Sequence, residues 1–211
     1  GSAGSVAIAG GESFKFAGGS VSLNGGFGSA GGAVNIVSGI GSNSNGNVSL
    51  GVGWAPESES GHIRISAGKA ASQSRTGGNT EIEAGPNSYG LGGDLILRGG
   101  QSDVLGGDII MTTESSGDSS SGKVHLKSGS VSSDSTVGLI VVEGGLSAYK
   151  KGGTISLSAG GSLQNEGGLI SMVSGSGDTS SGDIYVSSAS GSNTGLISIE
   201  SGGGTDASGS V

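Results

Sequence analysis

GGDIIMTTESSGDSSSGKVHLKSG, residues 106–129, contains the unit that decides the predicted fold of this chain. Two short apolar runs, 109–111 and 124–126, flank a loop of glycine and serine. About 60 residues later the chain repeats this arrangement as GGLISMVSGSGDTSSGDIYVSSAS, residues 167–190, and the Gly-Asp pair at 117–118 recurs at 177–178. Duplication of a unit together with its loop is typical of repeat architectures.

Glycine dominates the composition. It accounts for 49 of the 211 residues, far above the roughly 7% of an ordinary protein, but without the strict every-third-residue period of collagen. Richness in glycine and serine is also typical of flexible linkers. Linkers do not place Val, Ile and Leu at regular intervals, however, and this chain does so from end to end. We therefore predict a folded repeat with a long, thin core.

The repeated unit is Gly-x-h-x-h-x-x-Gly, where h is apolar. From Val21 to Val211 its first h position makes 13 steps over 190 residues, a mean of about 14.6, with single steps of 13 to 17. The second h follows two positions later, which places both side chains on one face of a strand. No stretch has a 3.6-residue apolar period, so essentially no helix is expected. The first h positions are Val6, Val21, Val34, Val48, Ile63, Thr80, Leu95, Ile109, Val124, Ile140, Ile155, Ile170, Ile184, Ile197 and Val211.

These observations predict an all-β fold: a repetitive two-sheet β-solenoid or an elongated stacked β-sandwich, with about 15 short strands. Residues 1–211 are expected to form a single repeat domain, a fragment of a larger repetitive protein. Glycines at both ends of each loop are expected to permit positive φ where the chain reverses, and Ser, Asn and Asp side chains to bond neighbouring backbone.

Two geometries remain open for the turn of the solenoid. If one 15-residue unit forms a complete coil, the loops must supply inward apolar residues, and some do so: Phe27, Ile40, Trp54, Val131 and Leu146. Other loops have no apolar residue to offer. Because burial is the main driving force for folding, two facing sheets with about 29 residues in each turn are favoured.

The charge pattern excludes some partners. The net charge is −8, only 12% of the residues are charged, and Lys150-Lys151 is the one basic doublet. Binding to nucleic acid requires clustered Lys and Arg, so nucleic acid is not an expected partner. The chain has no cysteine for disulfides or thiolate metal sites. No apolar run approaches the roughly 20 residues of a membrane span, so no membrane insertion is expected.

Residues that could perform chemistry are few, and we predict that the chain is not an enzyme and has no cofactor. His62 and His125 each lie between the two apolar residues of a unit, at a position expected to face solvent. Asp94, Asp108 and Asp183 each follow the glycine that precedes a strand. A ladder of such carboxylates could hold Ca²⁺, although the nonapeptide Ca²⁺ repeat is absent. Ca²⁺ therefore stays an open alternative.

A partner-contact patch is predicted from apolar residues at outward positions. Ile96, Ile110 and Val141 occupy the position between the two apolar residues of their units. Outward apolar side chains mark contact sites, unless a neighbouring loop covers them. His125 and Trp54 complete the candidate patch, because a loop tryptophan can stack on a sugar or cover a core.

Three units resemble known repeats: GGDLILRGG (92–100), GGTISLSAGG (152–161) and SSGDIYVSSASGSNTG (180–195). They resemble the Gly/Ser-rich repeats of very large extracellular proteins of diatoms and other algae. They are more weakly similar to the β-helical repeats of filamentous-haemagglutinin-type adhesins, whose units are longer. The resemblance implies an extracellular or cell-surface location, a structural or adhesive role and a surface without catalysis.

The expected function is that of a non-catalytic structural or adhesive module of an extracellular surface or matrix protein, acting as a rigid rod or spacer. Its expected partners are other copies or flanking repeats of the same protein. The alternative is a module that binds a repeating surface, such as ice, mineral or glycan, through a flat sheet face. A carbohydrate-active enzyme of the β-helix type would need an Asp, Arg and Lys cluster that the sequence lacks.

Overall fold

A computed structural model describes residues 3–55, 58–71, 76–114, 120–132, 135–204 and 209–210. Within these ranges the chain has no α-helix and no β-strand, and irregular backbone alternates with bends. The chain divides into two units, Gly1–Ile109 and Ile110–Val211. The predicted turn at Gly117-Asp118 and the last predicted strand position, Val211, lie outside the described residues.

Loops closed by two glycines are the recurring element of local structure. In nine loops of the described ranges, the amide of the glycine before one apolar unit donates to the carbonyl oxygen of the glycine that ends the previous unit, at 2.8–2.9 Å. We call each such closure a glycine neck. Each neck encloses 7 to 11 residues, which is the size of a compact Ω-type loop. The first unit contains necks 11–19, 26–32, 39–46, 68–78, 85–93 and 100–107, and the second contains 145–153, 160–168 and 175–182.

Close approach of two backbones explains why several necks require glycine. A Cβ added to Gly25 would overlap the carbonyl oxygen of Gly32. A similar clash with the partner glycine's carbonyl oxygen recurs at three other necks, on Gly10, Gly99 and Gly144. No glycine in the described ranges has a positive φ, so the prediction that glycines supply left-handed conformations at the loops is wrong there. Glycine is needed at these necks for space.

At other necks a Ser or Ala side chain takes the position held by Gly25. A Cβ added to Gly46 would lie 3.4 Å from the Cβ of Ser38, and one added to Gly168 would lie 3.3 Å from the Cβ of Ala159. Ser38 and Ala159 are partly buried, whereas the apolar residues of their units are exposed. The most enclosed position of these two units is therefore the small residue at the neck.

The predicted all-β fold is wrong for the described residues. The first apolar residue of each unit from Val21 to Ile197 is 45–58% exposed, and the second, from Leu23 to Ile199, is 60–76% exposed. No hydrophobic residue in the described ranges is buried. Without strands or a core, neither the two-sheet β-solenoid nor the stacked β-sandwich is present there. The regular gap between the two ranges is all that remains of the predicted inward face.

The alternative coil of 15 residues is also wrong there, because its second wall is missing. Phe27 is 106% exposed, and Ile40 and Leu146 are nearly as accessible. These loop residues point into solvent, whereas the coil geometry requires them to cover the apolar pairs. Trp54 and Val131 are exposed as well.

The balance of free energies within one unit gives a physical reason for this outcome. Burial of two aliphatic side chains stabilises a fold by about 1.5–3 kcal/mol each. Ordering the backbone of some 15 residues costs about 1–2 kcal/mol per residue, and glycine has more conformational freedom to lose than any other residue. Ladder hydrogen bonds and packing between distant units would have to supply the difference. A glycine neck orders only the few residues of one loop, so it forms locally without a core.

Hydrogen bonds and surface area agree with this description. Folded proteins contain about one internal hydrogen bond per residue, whereas the backbone-to-backbone bonds of the described ranges are the nine neck bonds. The chain exposes 21432 Å². A compact protein of 19.9 kDa would expose about 8,700 Å², and its extended chain about 28,900 Å². Most of the surface that a compact domain buries is thus accessible to a partner.

Candidate interaction surface

The largest repeated feature on the described surface is the set of apolar pairs, by which we mean the first and second h residues of each unit. Each pair sits between two necks. In the segment Gly168–Gly175, for example, Gly168 donates in one neck and Gly175 accepts in the next, with Ile170 and Met172 between them. The necks join the ends of each loop, so the apolar pairs recur along the chain with closed loops between them.

Short turns stabilised by side chains shape several of the loops. Ser147 Oγ accepts a hydrogen bond from the Lys150 amide at 3.0 Å, and Ser162 Oγ accepts one from the Asn165 amide at 3.0 Å. Asn87 Oδ1 accepts from the amide of Tyr89 at 2.9 Å. These bonds confirm the prediction that Ser and Asn side chains bond neighbouring backbone in the loops. Ser13 and Ser102 form equivalent bonds with Phe16 and Val104.

The position of these turn residues follows a rule that the sequence analysis missed. Each lies two residues after the glycine that accepts the neck bond, as Asn87 follows Gly85 and Ser147 follows Gly145. The signal Gly-x-Ser/Asn at the start of a loop could have identified them. The turn leaves the residues around it in solvent, and Tyr149 and Leu163 are fully exposed.

The structure exposes all five residues of the predicted partner-contact patch but does not bring them together on one defined face. Ile96, Ile110 and Val141 are exposed to an extent similar to that of the apolar pairs, and His125 is exposed. Trp54 is 87% exposed. Trp54 and Ile96 belong to the first unit, and the other three to the second. The expected difference between an outward and an inward face is not seen, and the patch stays a prediction.

The titratable residues singled out in the sequence are all exposed. They are His62, His125, Asp94, Asp108 and Asp183. In the described part of the chain no three or more His, Cys, Asp or Glu side chains lie close enough together to hold a metal ion. No cavity or cleft is found among these residues either. The absence of a cofactor and the alternative of a Ca²⁺ site both stay predictions.

The described residues contain no helix with the length and apolar character needed to cross a membrane. Comparison with family models, with curated proteins and with solved structures gives no match in any of the three. The resemblance to algal surface proteins and to adhesin repeats therefore remains an expectation from the sequence. The arguments that follow rest on the necks and on the exposed apolar pairs.

Proposed function

We propose that this chain is a non-catalytic structural module that acts as a spacer in a surface or matrix protein outside the cell. The observation that carries the proposal is the regular succession of glycine necks, which close loop after loop at 2.8–2.9 Å in both units. The extracellular placement is supported by the resemblance of the repeats alone. Rigidity through β-ladders is not part of the proposal, because the described residues form none.

The necks give a spacer a defined length per repeat. A segment such as Gly168–Gly175 has eight residues, which reach roughly 26–29 Å when fully extended. The loop between two segments adds residues but little reach, because its ends are joined by the neck bond. Opening a neck of 7 to 11 residues would release up to roughly 23–40 Å of chain. The length of the spacer is therefore coupled to how many necks are closed.

X-ray scattering of the chain and of a tandem duplicate tests this role. A compact protein of this length would have a radius of gyration of about 17 Å, and an unfolded chain about 50 Å. A spacer lies well above the compact value, and doubling the chain raises the radius by about 1.5-fold, against about 1.3-fold for compact scaling. A radius near 17 Å for the single chain would rule the proposal out.

The matched control for the necks uses the glycine doublets. The quadruple variant Gly10→Ala, Gly25→Ala, Gly99→Ala and Gly144→Ala places a Cβ against backbone at four necks. The neighbouring glycines, at 11, 26, 100 and 145, have open space at their Cβ positions. The first set should open its necks and lengthen the chain, and the second set should not. Equal radii for the two variants would show that the necks do not set the length.

A second function, binding to an extended glycan surface, is favoured by one observation. Trp54 is 87% exposed and is the only tryptophan of the chain. An exposed aromatic ring can stack on a sugar. Titration with soluble glycans should then shift the emission of this single fluorophore, and no shift across a glycan panel would exclude this function. The flat sheet face first expected for ice or mineral is not formed in the described residues, so these two surfaces are not proposed.

A further inference from the structure

The apolar pairs are exposed in every unit to nearly the same extent, which makes them a periodic binding surface. The chain exposes about 12,700 Å² more than a compact protein of its mass would. A standard protein–protein interface buries only about 1,600 Å² in total. In the described ranges the backbone groups that flank the apolar pairs form no backbone-to-backbone hydrogen bonds other than those of the necks. Both apolar surface and backbone donors are thus available to a partner.

The spacing of the pairs selects the partner. Steps between units vary from 13 to 17 residues within the chain. If one unit stacked on the next, loops of different lengths would lie against each other, and successive pairs would fall out of step. In two copies aligned in parallel and in register, every pair and every loop faces its own equivalent. A second copy of this chain is therefore the partner that matches all pairs at once.

The residues between the paired positions are compatible with stacking on themselves. In-register pairing places each residue about 4.8 Å from its own copy, so like charges would repel. Of the thirteen residues that lie between the two h positions from Ser22 to Ser198, only Arg64 and Glu81 carry a formal charge at pH 7. The others are mostly serine or apolar, so repulsion at the centre of the segments is confined to two units.

We propose that two copies of this chain associate in parallel and in register, each apolar pair packing against the same pair of the other copy. This inference rests on the proposed structural role and names its partner. The pairing it describes lies between chains, where the segments Gly168–Gly175 of two copies, for example, would exchange backbone hydrogen bonds. The first contact brings the remaining pairs to a high effective concentration, so weak contacts act together.

Single cysteines test the register directly, since the chain has none of its own. Ser156→Cys and Ser171→Cys each place one thiol between the two residues of an apolar pair. In register, identical thiols meet within the Cα separation of about 4.4–6.8 Å that a disulfide needs. Mild oxidation of an equimolar mixture should give 156–156 and 171–171 dimers, with the mixed 156–171 dimer roughly ten-fold below its statistical share.

Charge complementation is an independent test that needs no oxidation. Ser171→Glu and Ser171→Lys should each weaken self-association roughly four-fold at low salt, because like charges would lie about 4.8 Å apart. Mixing these two variants should restore association, whereas mixing Ser171→Glu with Ser156→Lys should not. Sedimentation at increasing concentration measures all four samples.

Three results would overturn the pairing. They are a monomer at every concentration, a statistical share of the mixed disulfide, or equal rescue by both charge mixtures. None of them affects the spacer role, which is judged by how the radius of gyration scales with chain length. If that scaling fails while the in-register disulfides form, the pairing stands without the spacer.

Discussion

The neck at Gly25 provides the sharpest test of the local structure, because two adjacent glycines differ in what they contact. A Cβ on Gly25 would overlap the carbonyl oxygen of Gly32, whereas a Cβ on Gly26 meets nothing within 4 Å. The substitutions Gly25→Ala and Gly26→Ala are the same chemical change one residue apart. Any difference between them reports the close approach of the two backbones.

The magnitudes separate the two variants. A net hydrogen bond of about 0.5–1.5 kcal/mol favours the closed neck by roughly 2- to 13-fold. Forcing a methyl group into a filled space costs about 1–3 kcal/mol, which lowers that ratio by roughly 5- to 160-fold and leaves the neck mostly open. Gly26→Ala should instead favour closure by about 0.4–1 kcal/mol, because alanine restricts the open chain and no positive φ is required.

Amide hydrogen exchange of Gly32 measures the neck, because this amide donates the closing bond to the Gly26 carbonyl at 2.8 Å. In the parent chain we expect its exchange to be slowed by a small factor, about 3- to 14-fold. Gly25→Ala should abolish that protection, and Gly26→Ala should preserve or increase it. Equal protection of the Gly32 amide in both variants would refute the close approach on which the neck argument depends.

Three further predictions follow from other features of the chain. Ser162→Ala should weaken the loop turn by about 0.5–1.5 kcal/mol by removing the acceptor of the Asn165 amide, seen as faster exchange of that amide, while Ser156→Ala should leave it unchanged. Gly153→Ala should open its neck, because its Cβ would lie 2.7 Å from the Gly145 nitrogen, whereas Gly182→Ala meets its neighbours only at 3.7 Å or more and should leave the Gly182 amide protected. Self-association should strengthen as the pH falls from 7 to the isoelectric point of about 4.5, since the net charge of −8 is lost, and 0.5 M salt at pH 7 should act in the same direction in light scattering.

The period of the repeat and the composition of the loops were readable from the sequence, but the strands were not. Alternation of apolar and polar residues reports which side chains would share a face if a strand formed. It does not report whether burial outweighs the entropy of ordering the chain. With two aliphatic residues in about 15 and 49 glycines in 211, the driving force per residue is small. Segments such as Ile170 to Met172 therefore keep the pattern of a strand without forming one.

The candidate surface was foreseen in part. Ile110, Val141 and Trp54 were expected to be exposed, and they are. The sequence analysis failed to anticipate that the apolar pairs beside them would be exposed as well, because it assumed that an inward face would find a cover. The necks were missed for another reason: glycine was expected to supply unusual φ values, and its role as the residue that lets two backbones touch was not considered.

The repeats themselves contain independent support for the necks, because fourteen units serve as an internal alignment. The residue two positions after the second h, which faces the neck, is Gly or Ala in seven units and Ser, Thr or Val in the other seven. In the first group the loop always ends in a glycine doublet, and in the second it always ends in a single glycine. Positions that change together are expected to be in contact. The two sides of the neck thus vary as a set, as Gly25 with Gly31-Gly32 and Ser174 with Ser181-Gly182. A flexible linker without closed loops would have no reason to keep that correspondence across 6 to 10 intervening positions.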